Sequence, residues 1–502
     1  MKLKNIFIIL IIFLLLICSV NAISAVSNDT SLEQSDDLLS SVTEANEENT
    51  ILSDSVTDNV LKETSQKTSP YKQFCDDLNN HKKTVYLTGD IKISSSLPRI
   101  NYNVVIDGQG HTIDGQSKTN ILTIVDCTVT IKNTKFINGH SSSNGGAISS
   151  LKGNLNIVGC TFSKNTAVDN GGAIYSNKGT LTIKSCTFSK NTAVDNGGAI
   201  FKYEGNLNVD NSKFISNKVE NKKSSGHGGA IIINNGNSKI TNTIFKSNAC
   251  LSKVLKKHSQ ATKYQFGGGA VYFIKGTLKL KQCTFSNNKA SNDGGGVYGA
   301  EPKSLTIDKC TFNKNSALYE DGGAITFNGN KLVITNSKFT NNKAYEDGGV
   351  MDSLSFTKQK CYVTVKGCTF QGNTAYKGGG VFWMGVKTVY TMENNKFINN
   401  KASIGGVLFS EDSNTKISKC VFQGNKAGKI TSWTVKTKAG GKLNHCGGAI
   451  MIQKRAVKIY KSTFKSNTAT YGAVIFNSGG KLVLSGNKMS GNKAKSGGAV
   501  SK

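Results

Sequence analysis

Arginine is almost missing from this chain. Arg99 and Arg455 are the only two, although Lys and Arg total 62 against 32 acids and the net charge is +30. A basic protein built on lysine lacks the planar fork that favours phosphate and base contacts. No nucleic-acid module is recognisable either, so nucleic acid is not expected as a partner. No CxxC pair occurs and the six histidines are scattered, so zinc has no support. His445-Cys446 is the nearest approach to a site and reads as incidental. No Ser-His-Asp arrangement, phosphate loop or dinucleotide fingerprint stands in a fitting context.

What is there is repetition. Cys160–Ile174 reads CTFSKNTAVDNGGAI, and Cys186–Ile200 reads the same, 26 residues on. A fixed period of this size signals stacked repeats. Two anchors recur. One is Phe-x-x-Asn, from Phe162/Asn165 to Phe464/Asn467, with Phe136/Gly139 opening the series and Met489/Asn492 closing it. The other is Gly-Gly-Ala-Ile or a near variant, from Gly145–Ile148 to Gly497–Val500. Paired, they give 13 units. Within a unit apolar residues alternate, as Leu181 and Ile183 do, and no unit holds ten helix-periodic residues. Such runs are strands. A strand unit this short buries its apolar side only by stacking on its neighbours. Equivalent residues then recur roughly every 4.8 Å, Phe on Phe and Asn on Asn. The Phe ladder is expected in the core, and the Asn ladder as amide hydrogen bonding along an inner turn. The Gly pair is expected to supply positive φ or close backbone approach at a corner.

These paired anchors resemble the repeats of chlamydial-type polymorphic outer membrane proteins and of adhesin-like surface proteins of methanogenic archaea. The resemblance covers Phe136–Val500. It implies a right-handed, single-stranded parallel β-helix of the pectin-lyase-like kind, and a surface or adhesive role in the cell envelope.

The rest of the chain fits an exported protein. Lys2 and Lys4, the apolar run Ile6–Ile17 and the Val20-Asn21-Ala22 site read as a signal peptide over 1–22. Residues 23–70 carry ten acids against Lys62 and Lys67, a net charge of −8, and read as a disordered linker. Residues 71–135 read as an end cap, with a short helix over Tyr71–Asn80, followed by early coils. Among these, Asp107–Gly115 looks like a coil of pectin-lyase-like proteins. Residues 136–502 hold the repeats. The chlamydial type ends in a translocating barrel; nothing barrel-like follows Val500 here, a departure from that type that puts autotransport in doubt.

Six cysteines, at 160, 186, 283, 310, 368 and 420, stand two residues before a repeat Phe, where other units have Ser or Thr. That slot asks for a small packed side chain, and free thiols are expected. The lysines, such as Lys164, Lys190, Lys314 and Lys343, are expected outward at turns. They keep the rod soluble, protect strand edges, and are suited to an anionic surface. The acids Glu320-Asp321 and Glu346-Asp347, with Asp293, fall just before Gly pairs, where Asn170 and Asn196 stand elsewhere. They read as turn residues bonding their own backbone. Stacked carboxylates repel unless a cation or lysine intervenes. That leaves a weak calcium site at Asp293, Asp321 and Asp347 open, although no metal site and no cofactor is the main reading. Without a distinctive carboxylate pair or a basic arginine, no enzyme is expected; a polysaccharide lyase or hydrolase ranks below an adhesin and below a structural spacer.

Loop lengths locate the candidate binding face. The stretch from the repeat Asn to the Gly pair swells after Asn217, Asn248 and Asn425, and stacking puts that turn on one side of the rod. The loop Ala249–Phe266 offers Lys253, Lys256, Lys257, His258 and Tyr264. The loop Lys426–Cys446 offers Lys429, Trp433, Lys436, Lys438 and Lys442. Between them lie Tyr319, Tyr345 and Tyr376. Two basic walls and an aromatic floor suit an extracellular glycan, an acidic wall polymer, or a protein of a host or partner cell.

Overall fold

The computed structural model describes residues 68–252, 266–353, 360–429 and 444–502, and the backbone of 435–436 and 442–443. The expected signal peptide and nearly all of the acidic linker lie outside these residues. Among the described residues there is one helix, α1, over Pro70–Asn79. Ser69 caps it, accepting from the Lys72 amide at 3.3 Å, and Pro70 fills the first position, where no amide is missed. It buries Phe74 and Leu78 and packs on the first strands. Among the described residues, no helix is long and apolar enough to cross a membrane.

Beyond α1 the described chain winds as a coil of short strands, with one small ribbon outside it. One turn of it runs Leu181–Lys184, Thr187–Ser189, Thr192–Ala193 and Ile200–Lys202. Each strand pairs in parallel with its equivalents one coil before and one after. Four long sheets result, named I to IV in that order, of 15, 15, 13 and 14 strands. The fold is a right-handed parallel β-helix. Fifteen strands in sheet II make a rod of roughly 70 Å at about 4.8 Å per step. The 13 strands of sheet III belong to the 13 repeat units; the two extra coils in sheets I and II are the degenerate ones before Phe136.

Alternation explains which residues fill the tube. In sheet I, Leu155, Leu181 and Leu207 stand in register, as do Ile157, Ile183 and Val209, while the residues between them face out. In sheet II the Phe rings stack from Phe136 to Phe464, with centroids 4.7 Å apart for Phe162–Phe188 and 5.1 Å for the widest pair, Phe370–Phe397. Met489 continues the column in register with Phe464.

The next turn holds the Asn ladder, fully buried from Asn165 to Asn467. Asn191 shows the pattern. Its Nδ2 donates to Asn217 Oδ1 at 2.9 Å and to the Phe162 carbonyl at 3.0 Å, and its Oδ1 accepts both the amide and Nδ2 of Asn165. Each amide therefore ties three coils and leaves no polar atom of its own unmet, as burial requires. Lys164, Lys190 and Lys314 sit just before their Asn at φ 57°, 56° and 55°, a left-handed turn; Lys343 instead begins a sheet III strand.

The cysteine slot has a second requirement besides small size. Cys186 Sγ donates to the Lys184 carbonyl at 3.2 Å and accepts the Cys160 amide at 3.4 Å. Ser212 Oγ takes the Cys186 amide at 3.1 Å, and Asn395 Oδ1 takes that of Cys368 at 2.9 Å. The slot needs a short acceptor, so Asn395 and Asn487 fill it as well. Eleven thiols, from Cys75 to Cys446, are free.

Candidate functional site

The varied part of each unit lies between sheet III and the Gly pair. At the pair itself both expected properties occur, divided between the two residues. Gly171 has φ +66°, and a Cβ on Gly172 would lie 2.3 Å from the Gly198 carbonyl oxygen. The residue before the pair forms an outer column, packed beside the outward residues of sheet IV. The column changes chemistry along the rod. It begins as amides: Asn170 Nδ2 donates to Asn144 Oδ1, Asn196 Nδ2 to Asn170 Oδ1, each at 2.8 Å, and His227 Nδ1 meets Asn196 Oδ1 at 2.6 Å. It continues as Asp293, Asp321 and Asp347. It turns apolar at Ile404 and Cys446, clustered on Phe409, Met451 and Phe476 of sheet IV, before Tyr471 and Ser496 close it. The sheet IV residues beside the first part are apolar too: Phe201, Ile232, Tyr272 and Tyr298.

The acidic part differs from the turn geometry expected of it. Its aspartates reach the backbone of the next coil. Asp293 Oδ1 accepts the Asp321 amide at 3.1 Å, Asp321 Oδ1 the Asp347 amide at 2.7 Å, and Asp347 Oδ1 the Gly378 amide at 2.6 Å. Each carboxylate thus bridges to the next coil. Asp293, Glu320, Asp321 and Asp352 are 2%, 1%, 4% and 0% exposed, so substrate-sized molecules cannot reach them. Burial, then the charges of Asp321, Asp352 and Glu320, push the Asp293 carboxyl well above the usual carboxylate range; burial and Asp321 do the same to Asp347. Carboxylate oxygens of Glu320, Asp321 and Glu346 lie within 4.8 Å of one another. Lys377 pairs with Glu346 at 2.5 Å.

The face carrying the expected binding residues is partly described. The chain leaves sheet III after Ala249–Ser252 and after Lys426–Ala427, strands six coils apart. Lys253, Lys256, Lys257, His258 and Tyr264 lie outside the described residues, as do Trp433 and Lys438. Lys436 and Lys442 lie opposite each other in a two-stranded antiparallel ribbon, Val435–Lys436 with Lys442–Leu443. Between the loops, Tyr345 and Tyr376 meet edge to face at 5.5 Å, and Lys343 Nζ lies 4.8 Å from the Tyr376 ring centroid. Tyr345 is 52% exposed. Tyr319 is exposed as well but makes no ring contact with either among the described residues. A shallow hollow of about 300 Å³ beside them is lined by Lys343, Thr374, Tyr376 and Lys401.

Sequence reasoning did not pair Lys343 with Tyr376, nor place Asp352 among the acids. Both follow from register. Lys343 pairs with Thr374 in sheet III, two residues before Tyr376. Asp352 is the outward residue of its sheet IV strand, in register with Thr326.

Comparison with known families agrees with this architecture. The right handed beta helix region model matches residues 258–422 and 356–502. The Chlamydia polymorphic membrane protein repeat model matches 159–177 and 185–202, the stretches that contain the two identical copies. No curated protein and no solved structure matches the chain. The repeat type implies an outer-membrane or surface location. The chain is a right-handed parallel β-helix that carries chlamydial-type polymorphic membrane protein repeats.

Proposed function

We propose that the protein is an exported, adhesin-like surface protein. It binds an extracellular glycan, an acidic wall polymer or a partner-cell protein on the face where the long connections leave sheet III. The observation that carries this reading is the Tyr345–Tyr376 pair, Tyr345 exposed and Tyr376 half-buried, with Lys343 over the Tyr376 ring. Exposed aromatic faces beside lysines suit sugar rings that bear carboxylates, through stacking and charge together. The alternative is an envelope spacer that binds nothing specific; the uniform lysine-rich turns favour it. Catalysis on polysaccharide is disfavoured by the burial of Asp293, Glu320, Asp321 and Asp352, which a polymer chain cannot approach.

The test is a glycan array and cell-adhesion assay with the parent, Tyr345→Ala with Tyr376→Ala, and a deletion of 253–265. The deletion starts at 253 because Ala249–Ser252 is a sheet III strand paired with Lys218–Asn221. Loss of binding by folded variants supports the reading. Full binding by both variants, or no binding by the parent to any glycan or cell, supports the spacer.

A further inference from the structure

A second face of the rod, the outward side of sheet I, carries positive charge that the chain itself does not answer. We propose that this face, from strand Leu181–Lys184 to strand Thr277–Lys281, is a separate binding site for an extended anionic polysaccharide, one that bears carboxylates or sulfates.

Three observations carry this. First, the surface is hollowed there. A shallow groove of about 510 Å³ crosses four consecutive strands of sheet I. Lys184, Lys239 and Lys281 line it, with Asn208, Asn242 and Gln282. Three steps of about 4.8 Å carry it across roughly 14 Å of the rod. All six side chains belong to exposed residues, so a polymer lying along the rod meets them directly.

Second, the charge is unmatched. Lys239 and Lys279 stand in register on neighbouring strands, where like charges repel. Among the described residues, none of Lys184, Lys239, Lys279 and Lys281 is in an ion pair. The acid in the lining, Asp210, is already engaged. Its Oδ1 accepts from Thr241 Oγ1 and, at 2.9 Å, from Asn242 Nδ2. Four lysines against one aspartate leave a clear positive excess, which an anion on the groove would relieve. Asp308, in register with Lys281 one coil on, ends the basic stretch. Farther along the same sheet the balance differs: Glu393 pairs with Lys366 and Lys419, and Asp412 with Arg455.

Third, the groups between the lysines suit sugar. The amides of Asn208, Asn242 and Gln282 and the hydroxyl of Thr182 both donate and accept, as sugar hydroxyls do. No aromatic ring lines the groove, and its two apolar residues, Ile183 and Val209, are buried in the tube. An acidic peptide would find no pocket for an apolar anchor there. Lysine meets an anion as a point charge, without the fixed fork of arginine, so carboxylate and sulfate both fit. The site does not rest on the Tyr345–Tyr376 face, which lies beyond sheet III.

The experiment uses the full chain and calorimetry at low salt. Polygalacturonate and dextran sulfate are the anionic probes, and dextran is the neutral one. At least one anionic polymer should bind and dextran should not; the tighter of the two names the anion. The site variant is Lys239→Thr with Lys281→Thr. Thr already stands in these columns, at Thr306 and Thr241, so the fold tolerates it, and an unchanged melting profile checks this. The variant should weaken binding about fivefold to tenfold. Lys416→Thr with Lys458→Thr removes the same charge elsewhere on sheet I and should leave binding near that of the parent, as should Tyr345→Ala with Tyr376→Ala. The proposal is overturned if neither anionic polymer binds. It is overturned if the Lys416 and Lys458 variant loses as much as the site variant, because net charge alone would then explain the binding. Loss on changing the tyrosines, with none on changing Lys239 and Lys281, also overturns it and leaves the adhesive face standing.

Discussion

Two columns run the length of this rod, and they obey different rules. The inner column is Asn in twelve consecutive units, from Asn165 to Asn492, each amide bonded the same way to its neighbours. The outer column, one residue before each Gly pair, passes from amides through carboxylates to Ile404 and Cys446. Inside the tube no water is available, so one side chain that can both donate and accept must recur without a gap. Outside, the adjoining loops and sheet IV supply local partners, so each coil answers only to its neighbours. The regular column builds the rod; the irregular one is where the rod acquires chemistry.

The sharpest way to break this comparison is in the core. Phe312→Ala opens a void within a ring stack of 4.6 Å and 4.9 Å spacings and should cost about 3–5 kcal/mol. Chemical denaturation would read this as a lowered midpoint. Asn315→Ala should come next, at about 2–4 kcal/mol. It orphans the amide and Nδ2 of Asn288 and the carbonyl of Phe285, all buried. If Asn315→Ala melted like the parent, the inner column would be ornament rather than structure. Asn196→Ala, by contrast, sits in the outer column and should cost under about 1 kcal/mol.

A buried lysine sharpens the comparison by pH. Lys202 points into the tube from sheet IV, fully buried. Its Nζ donates to Ser176 Oγ at 3.2 Å and to the Lys178 and Glu204 carbonyls at 2.6 and 2.5 Å. Burial lowers its pKa to about 8. Between that value and the ordinary lysine range the unfolded chain holds the extra proton, so this group adds stability as pH rises. Lys202→Met should therefore lose ground to the parent between pH 8 and pH 10.5, by about 2 kcal/mol after allowance for solvent screening. A constant difference in stability across that range would place Lys202 in water.

The smallest effect should come from the thiols. Burial pushes Cys250, Cys361 and Cys446 up to about 12, so they should alkylate slowly in the folded protein. All eleven cysteines after the signal should react after unfolding without reductant. A mass short of full alkylation would reveal a bridge.

Much of the inner column was legible because it repeats. Phe and Asn at fixed offsets can be in register in only one way, and alternation in Leu181–Lys184 says which side is in. The outer column was legible only in part. Loop lengths show which turn can grow, and three tyrosines lie on it. They do not show that Tyr345 meets Tyr376 while Tyr319 stands apart, because the coil of Tyr319 carries an extra residue, Leu318, ahead of its acids. The acids misled for a related reason. An Asp before Gly commonly closes its own turn, and nothing local says that the next coil, less than 5 Å away, offers a better donor. Asp352 is farther still from the other acids in sequence register, and only the folding of sheet IV beside the turn brings it near.

The hydrogen bonds of the four long sheets run along the rod, from coil to coil. Tension between the two ends would therefore load them in peeling geometry, a few at a time, rather than in shear. A 26-residue unit released from the stack can extend to roughly 85 Å, against the 4.8 Å it occupied. Pulled hard enough, the rod would lengthen in steps, one coil after another, and the force on whatever it holds would level off instead of climbing. Mechanically, such a molecule is a tether with stored slack, and its near-equal coils set nearly equal thresholds for release.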